Sequence, residues 1–408
     1  MDSSRDASRL LAVPAGPFQI PAIAEARRMG LWVCAMDGNP NAPGLALADC
    51  SEAANPADAG HILTVARRYE VNGIFAMASD PCVVPTADAA SELRLPGPTR
   101  EAARLSRNKL LARRRLQAQC PEYAPAFRPV TSLDELKAAA GELGYPFVLK
   151  PVESNGSKGV VIIAEASKLG DFFDYVSRFT AGNALYTDEP MIAETYMDGP
   201  EFSIEGLATD QGLQIAAITE KTTTPPPYCV EIGHVVPARL EPENRMAIEK
   251  AAERIAEVFH LSQCGFHAEM RLTSAGVKLV EVGARLGGGC IASHLVPLAT
   301  GVNIVRAAIM QAIGETPDLA ATRDQGAAIR FLTADAGTVE RITGLEEART
   351  MEGVHEVSCE VNPGDAVRRF ENSDQRIGHV IATGRDAGEA QERAQAAANL
   401  VRIICAAA

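Results

Sequence analysis

A chain of 408 residues with 47% hydrophobic content is long enough for two or three domains with ample core, and no apolar run approaches the roughly 20 residues of a membrane-spanning helix. A formal net charge of −13 argues against a nucleic-acid or anionic-membrane surface, since either partner needs clustered Lys and Arg. Nine scattered cysteines with no C-x-x-C spacing read as reduced thiols of a cytoplasmic protein, and Met1 to Arg5 lack the basic-then-apolar pattern of a signal peptide.

In chain order, the apolar run Arg9 to Ala15, the amphipathic stretch Gln19 to Met29 and the run Leu31 to Met36 make a βαβ unit. A second unit follows, with a helix over His61 to Tyr69 and a strand over Gly73 to Met77. Only Gly16 stands where a G-x-G-x-x-G fingerprint would be, so this region is not expected to hold a dinucleotide. Basic helices run from Arg100 to Gln119, followed by a Pro-marked connector over Pro121 to Pro129. Ser132, with Glu135 three residues on, predicts a capped helix ending at Leu143. Next come a strand ending in Lys150, the small-residue loop Pro151 to Gly159, and a strand over Val160 to Ala164. Such a loop with two lysines can cradle an anion on its backbone N–H groups, although it lacks the G-x-x-x-x-G-K-[ST] pattern.

The segment Lys221 to His234 reads as a Pro-rich loop to Tyr228 and a strand thereafter. The most informative stretch is Gly265 to Glu281, read as a hairpin with a three-residue loop at Ser274, Ala275 and Gly276, pairing Thr273 with Val277. In that register Glu269 faces Glu281, while Phe266, Ala268, Met270, Leu272, Val280 and Val282 form the apolar face. Like charges directly opposite are destabilising unless neutralised, and Mg²⁺ binds through one or two carboxylates plus substrate phosphates. Arg285 and the run Gly287 to Gly289 follow at once, with a helix expected to start near Ile291. From Gly326 onward, strands over Ala327 to Leu332, Val354 to Val361 and Gly378 to Ala382 precede a helix over Ala387 to Ile404, with no evident catalytic cluster.

Lys109, Lys150, the loop Asn155 to Gly159, Glu194 to Met197, Glu201, Glu269, Glu281 and Arg285 together resemble, in order and spacing, the ATP-grasp superfamily. Within it the chain looks most like the L-amino-acid ligase branch, which is related to biotin carboxylase. The resemblance implies a mixed α/β fold, of α+β ATP-grasp type, with an N-terminal βαβ domain over 1–107, a two-lobed ATP-grasp domain over 108–315 whose mobile lid lobe spans about 128–197, and a C-terminal α+β domain over 316–408. It implies ATP held by Lys109, Lys150, Ser154, Asn155, Gly156, Ser157, Lys158, Gly159, Glu194, Met197 and Glu201, with Mg²⁺, or alternatively Mn²⁺, on Glu269 and Glu281. Arg285 would stabilise the transferring phosphoryl group, and Glu231 and His234 would line the substrate site. Many members carry Asn two residues after the second glutamate; here that residue is Gly283, which leaves the number of metals open. The implied activity is an ADP-forming ligation of a carboxylate to an amine, both small molecules, with a homodimer as one assembly to test. The alternatives are a carboxylating enzyme of biotin-carboxylase or purine-biosynthetic type, against which Leu286 to Ile291 stand in place of a Glu-His continuation, and a silent nucleotide-binding subunit.

Overall fold

The computed structural model describes residues 7–180 and 190–406. The reading of Met1 to Arg5 and the 181–189 part of the expected lid lobe lie outside the described residues. The chain opens with β1 (Arg9–Val13), α1 (Ile20–Arg28), β2 (Trp32–Asp37), β3 (Cys50–Ala53), α2 (Ala59–Arg68) and β4 (Gly73–Ala76), giving a parallel sheet in the order β3-β2-β1-β4. Parallel strands are covered on both faces, which is why β1 and β2 read as nearly unbroken apolar runs. The helix α3 (Asp80–Leu93), which the sequence reading did not anticipate, follows β4 and carries its own proline at Pro85. The basic stretch divides into α4 (Arg100–Arg107) and α5 (Lys109–Gln119), because the Asn108 side chain caps α5 by accepting from the Leu111 N–H.

Next, β5 (Phe127–Val130), α6 (Leu133–Leu143), β6 (Phe147–Pro151), β7 (Val161–Ile163), α7 (Leu169–Ser177) and β8 (Met191–Thr195) build a small antiparallel sheet, β5-β8-β6-β7, over a core around Leu136, Phe147 and Ile163. The cap of α6 is as expected at Ser132, whose hydroxyl accepts from Glu135 N–H, while the Glu135 carboxylate reaches one residue further, to Thr131 N–H.

The main body starts with β9 (Glu201–Thr209), β10 (Gly212–Thr223) and β11 (Glu231–Val236), so Lys221 lies on a strand rather than in the expected loop. Then come α8 (Pro242–Val258), β12 (Cys264–Thr273), β13 (Gly276–Gly283), a π-helical turn over Ile291–Leu295, α9 (Val296–Thr300) and α10 (Ile304–Ala312). The last part contributes β14 (Gly326–Phe331), β15 (Gly337–Thr343), α11 (Leu345–Arg349), β16 (Val354–Cys359), β17 (Ala366–Val367), β18 (Gly378–Gly384), α12 (Ala387–Leu400) and β19 (Arg402–Ala406). The expected terminal helix therefore stops at Leu400, and its β-branched tail pairs with β15 as a strand. One eight-stranded sheet, β13-β12-β9-β10-β11-β14-β18-β16, runs without interruption from the hairpin into the C-terminal strands.

The hairpin differs from its reading in an instructive way. Thr273 pairs with Gly276, so the loop is one residue shorter than expected, and the register then shifts between Glu269 and Met270. The extra residue at Val280 restores the opposition of Glu269 and Glu281. Val277, Leu279 and Val282 take the core face of β13, and Val280 does not.

Candidate active site

The face of β12 and β13 carrying Glu269 and Glu281 looks into a cleft between the main sheet and the small sheet. Among the described residues no cluster of three or more His, Cys, Asp or Glu side chains forms a metal cage. Two facing carboxylates match a hard cation that takes most of its remaining oxygens from phosphates and water, so the donor set fits Mg²⁺. Each carboxylate is meanwhile balanced by protein cations: Glu281 by Lys109 at 3.0 Å, and Glu269 by Lys221 at 2.8 Å and His267 Nε2 at 3.4 Å. Burial opposes ionisation of Glu269, yet Lys221 and His267 hold its carboxyl well below the usual range.

Lys221 is a hub that the sequence reading missed. Its ammonium lies 2.7 Å from Glu201, 2.8 Å from Glu269 and 3.2 Å from Glu231, and these three carboxylates raise its pKa well above normal in spite of burial. His267 is held between Glu205 and Glu269, and against the cost of burial these partners raise its pKa to about 9. Arg271 fastens the other side of Glu201 at 3.0 Å and donates to the Met197 carbonyl.

Lys109 sits on the first turn of α5, which is pinned to the loop after β6 by Lys109 N–H to Val152 O and by Asn108 Nδ2 to Glu153. Its ammonium donates to Ser154 O at 2.7 Å. Lys150, at the end of β6, pairs with Glu194 on the neighbouring β8 at 2.8 Å. Glu194 is fully buried and also meets Arg113 of α5, whose Nε lies 2.8 Å from Oε1 and whose Nη2 donates to Oε2 at 3.2 Å. The Glu194 side chain thus clamps two cations, and burial lowers the Lys150 pKa while Glu194 opposes that shift. The loop over Ser154 to Gly159 folds on itself through Ser154 Oγ donating to Lys158 O. It meets the C-terminal segment through Ser373 N–H to Gly156 O and the Lys158–Asp374 pair at 2.9 Å.

Two compartments result. The inner, of about 150 Å³, is lined by Lys109, Lys150, Ser154 to Ser157, Glu194, Met197, Glu201, Glu281 and the apolar side chains Val148, Ile162 and Val280. The outer, of about 520 Å³, holds His234, Lys158, Gly288, Gly289, Phe331 and Arg376. They share a wall made of Asn155, Gly156, Glu231, His267, Glu269 and Arg285. Of the residues expected at the site, Gly159 alone lines neither compartment; at φ +72° it turns the chain, and a Cβ there would lie 2.9 Å from Pro151.

In the outer compartment His234 is buried, edge-on to Phe331, and burial drives its pKa down to about 3, so the ring is neutral. Glu231 is bound by Lys221, Ser373 and Arg376, whose guanidinium lies 3.7 Å over Phe331. Its carboxylate is thus already paired within the protein while it lines both compartments. Arg376 and Asp374 come from the stretch where no functional cluster had been read. Arg285 forms a two-bond fork with Asp80 of α3, again unforeseen.

The family model for an ATP-grasp domain matches residues 143–293, and that for L-amino acid ligase C-terminal domain 2 matches residues 330–406. An uncharacterized protein, y4rH, of Sinorhizobium fredii is 29% identical over 325 residues, covering 79% of this chain and 66% of that protein. Alanine–anticapsin ligase of Bacillus subtilis is 30% identical over 223 residues, covering 50% of this chain and 47% of the ligase. The chain therefore spans less than two thirds of either curated relative. The crystal structure of L-amino acid ligase from Bacillus licheniformis superposes with a TM-score of 0.84 at 24% identity, covering 98% of this chain and 99% of that one, a likeness of fold. The chain thus carries an ATP-grasp domain followed by the C-terminal domain 2 of L-amino acid ligases.

Proposed function

We propose that this chain joins a carboxylate to an amine at the expense of ATP, releasing ADP and phosphate. The observation that carries the reading is the wall shared by the two compartments, in which Glu269, Arg285 and the Asn155–Gly156 part of the loop separate a slot lined by lysines, small loop residues and apolar side chains from a second, larger chamber. The adenine would lie among Val148, Ile162, Met197 and Val280, with the ribose hydroxyls at Glu201 and the phosphates at Lys109, Lys150 and the N–H groups of Ser154 to Ser157. Glu269 and Glu281 would hold Mg²⁺, which when bound offsets the crowded negative charge of the phosphates.

In the first step an oxygen of the substrate carboxylate bonds to the γ-phosphorus as the bond to ADP breaks, which turns a poor electrophile into an acyl phosphate. Arg285 lies at the wall where charge spreads over the transferring group. In the second step the amine nitrogen bonds to the acyl carbon, the carbon–oxygen bond to phosphate breaks and the nitrogen gives up a proton. His234, neutral and buried, has an N–H to offer the oxyanion that forms between those events. Glu231 acts by holding Arg376 over Phe331, so that the guanidinium forms part of the chamber floor. The name of the alanine–anticapsin ligase favours an amino acid as the carboxylate substrate.

The test is ADP and phosphate release with ATP, Mg²⁺ and a panel of amino acids, alone and in pairs, with product mass measured. Glu281→Gln removes half of the carboxylate pair, a loss of several kcal/mol of transition-state stabilisation, or about 10²–10³-fold in rate. Substrate-dependent ADP release that persists in this variant would sink the metal assignment. Release that needs bicarbonate and no amine would move the chain to the carboxylating enzymes.

A further inference from the structure

Asp80 and Arg285 are 205 positions apart, yet both are buried and joined by a planar fork, with Arg285 Nε and Nη2 donating to the two Asp80 oxygens at 2.9 Å each. The third donor in use is Nη1, to the carbonyl of Leu286 at 3.1 Å. A guanidinium has five N–H groups, so two are left for a ligand. The Arg285 side chain lies across Gly283, where a Cβ would stand 3.4 Å from its Cγ and 3.6 Å from Cζ. The backbone is fixed as well: Met77 forms a parallel bridge to Leu286, Ala78 N–H donates to Leu286 O, and Gln19 Nε2 donates to Met77 O at 2.6 Å. Thus the strand-to-helix corner of the N-terminal sheet is stitched to Leu286, the residue after Arg285.

We propose that Asp80 is a positioning residue for phosphoryl transfer, fixing the plane and direction of Arg285 at the wall between the compartments. The inference rests on the ligase reading above. Both Asp80 oxygens pair with Arg285, so on this proposal Asp80 acts on the reaction through the guanidinium. Bidentate pairing fixes orientation as well as position, and a misplacement of about 1 Å at a reacting centre can cost about 10²-fold in rate. The N-terminal domain, which lacks a dinucleotide fingerprint, thereby takes part in the chemistry as the brace of the catalytic arginine.

Asp80→Asn keeps the shape but offers one acceptor and turns an amide NH₂ towards the guanidinium. The expected result is a fall in kcat of about tenfold to 10²-fold, with the Kd of a fluorescent ATP analogue within about threefold of wild type, since that ligand is held mainly by the inner compartment. A second readout needs no turnover: the Arg285 ¹⁵Nε–¹Hε resonance, identified by its loss in Arg285→Lys, is protected from exchange in the wild type and loses that protection in Asp80→Asn. Where Asp80→Asn does not fold, Asp80→Glu keeps the charge but pushes the fork back by one methylene, and must lower kcat at an unchanged thermal midpoint. A variant with the resonance still protected, or with kcat and ATP affinity falling in step with stability, overturns the proposal. If the wild type releases no ADP, the ligase reading fails, and the resonance still decides whether Asp80 holds Arg285.

Discussion

Glutamine at position 194 would leave Arg113 and Lys150 facing each other inside the protein with no anion between them. The three side chains are 1%, 5% and 0% exposed for Arg113, Lys150 and Glu194, so water cannot take over the lost role. Removing one partner of a buried ion pair costs about 3–5 kcal/mol, and at about 2–4 °C per kcal/mol the thermal midpoint of the variant should fall by roughly 6–20 °C at pH 7.5. Burial opposes the charge on Glu194, but Arg113 and Lys150 lower its pKa below the unfolded value of about 4.3. Its contribution is therefore complete above that pH and lost as the pH falls through the folded pKa, so the deficit of Glu194→Gln should be constant from pH 6 to 8 and close in acid. ATP affinity should weaken as well, because without Glu194 nothing opposes the effect of burial on the Lys150 charge. Combining Arg113→Met, Lys150→Met and Glu194→Leu removes all three charges and should regain most of the midpoint while ATP binding stays weak. A Glu194→Gln protein within about 1 kcal/mol of wild type would refute the clamp, because the lower bound above exceeds it.

Two further outcomes follow from the outer compartment. The neutral His234 has a folded pKa of about 3 against about 6.5 unfolded, so its contribution is present above pH 6.5 and shrinks as pH falls, by about 1.4 kcal/mol per unit; denaturant titrations at pH 7.5 and 5.0 should show wild type losing about 2 kcal/mol more than His234→Gln, and parallel losses would contradict the burial argument. At Gly287, an added Cβ would clash with Glu205 Oε1 and lie 2.7 Å from His267 Nδ1, whereas at Gly288 the nearest atom is Ala78 Cβ at 3.6 Å. Gly287→Ala should lose about 1–3 kcal/mol and slow ADP release, with Gly288→Ala near wild type in both; equal effects would show that the glycine run is not packed as described.

Much of the architecture was legible because local signals agree with it: the Ser132 cap, the apolar strands β1 and β2, and the alternation on β12 all stand where periodicity puts them. The facing of Glu269 and Glu281 was also foreseen, although through a loop one residue too long whose error the extra residue at Val280 cancels. A bulge leaves no mark in a pattern of period two until the partner strand is known. What remained hidden are pairings across distance. Lys221 became a hub only when β9, β11 and β12 brought three glutamates around it, and Asp80 met Arg285 only when the corner after β4 bridged to Leu286. Ser373, Asp374 and Arg376 carry no motif, and their place at the chamber follows from the continuation of the main sheet into β18.

The contact between the Ser154 to Gly159 loop and the C-terminal segment bears on the proposed turnover. Lys158 and Asp374 are 34% and 68% exposed, and a pair so open to water is worth about 0–1 kcal/mol. The pair alone therefore changes the ratio of shut to open loop by no more than about fivefold, the Ser373 N–H to Gly156 O bond adding to it. The pair is also screened by salt. On the proposed ligase reading, ionic strength then becomes a control on how fast the spent nucleotide leaves, separate from the chemistry proposed at Arg285, and raising it should speed release while leaving phosphoryl transfer alone.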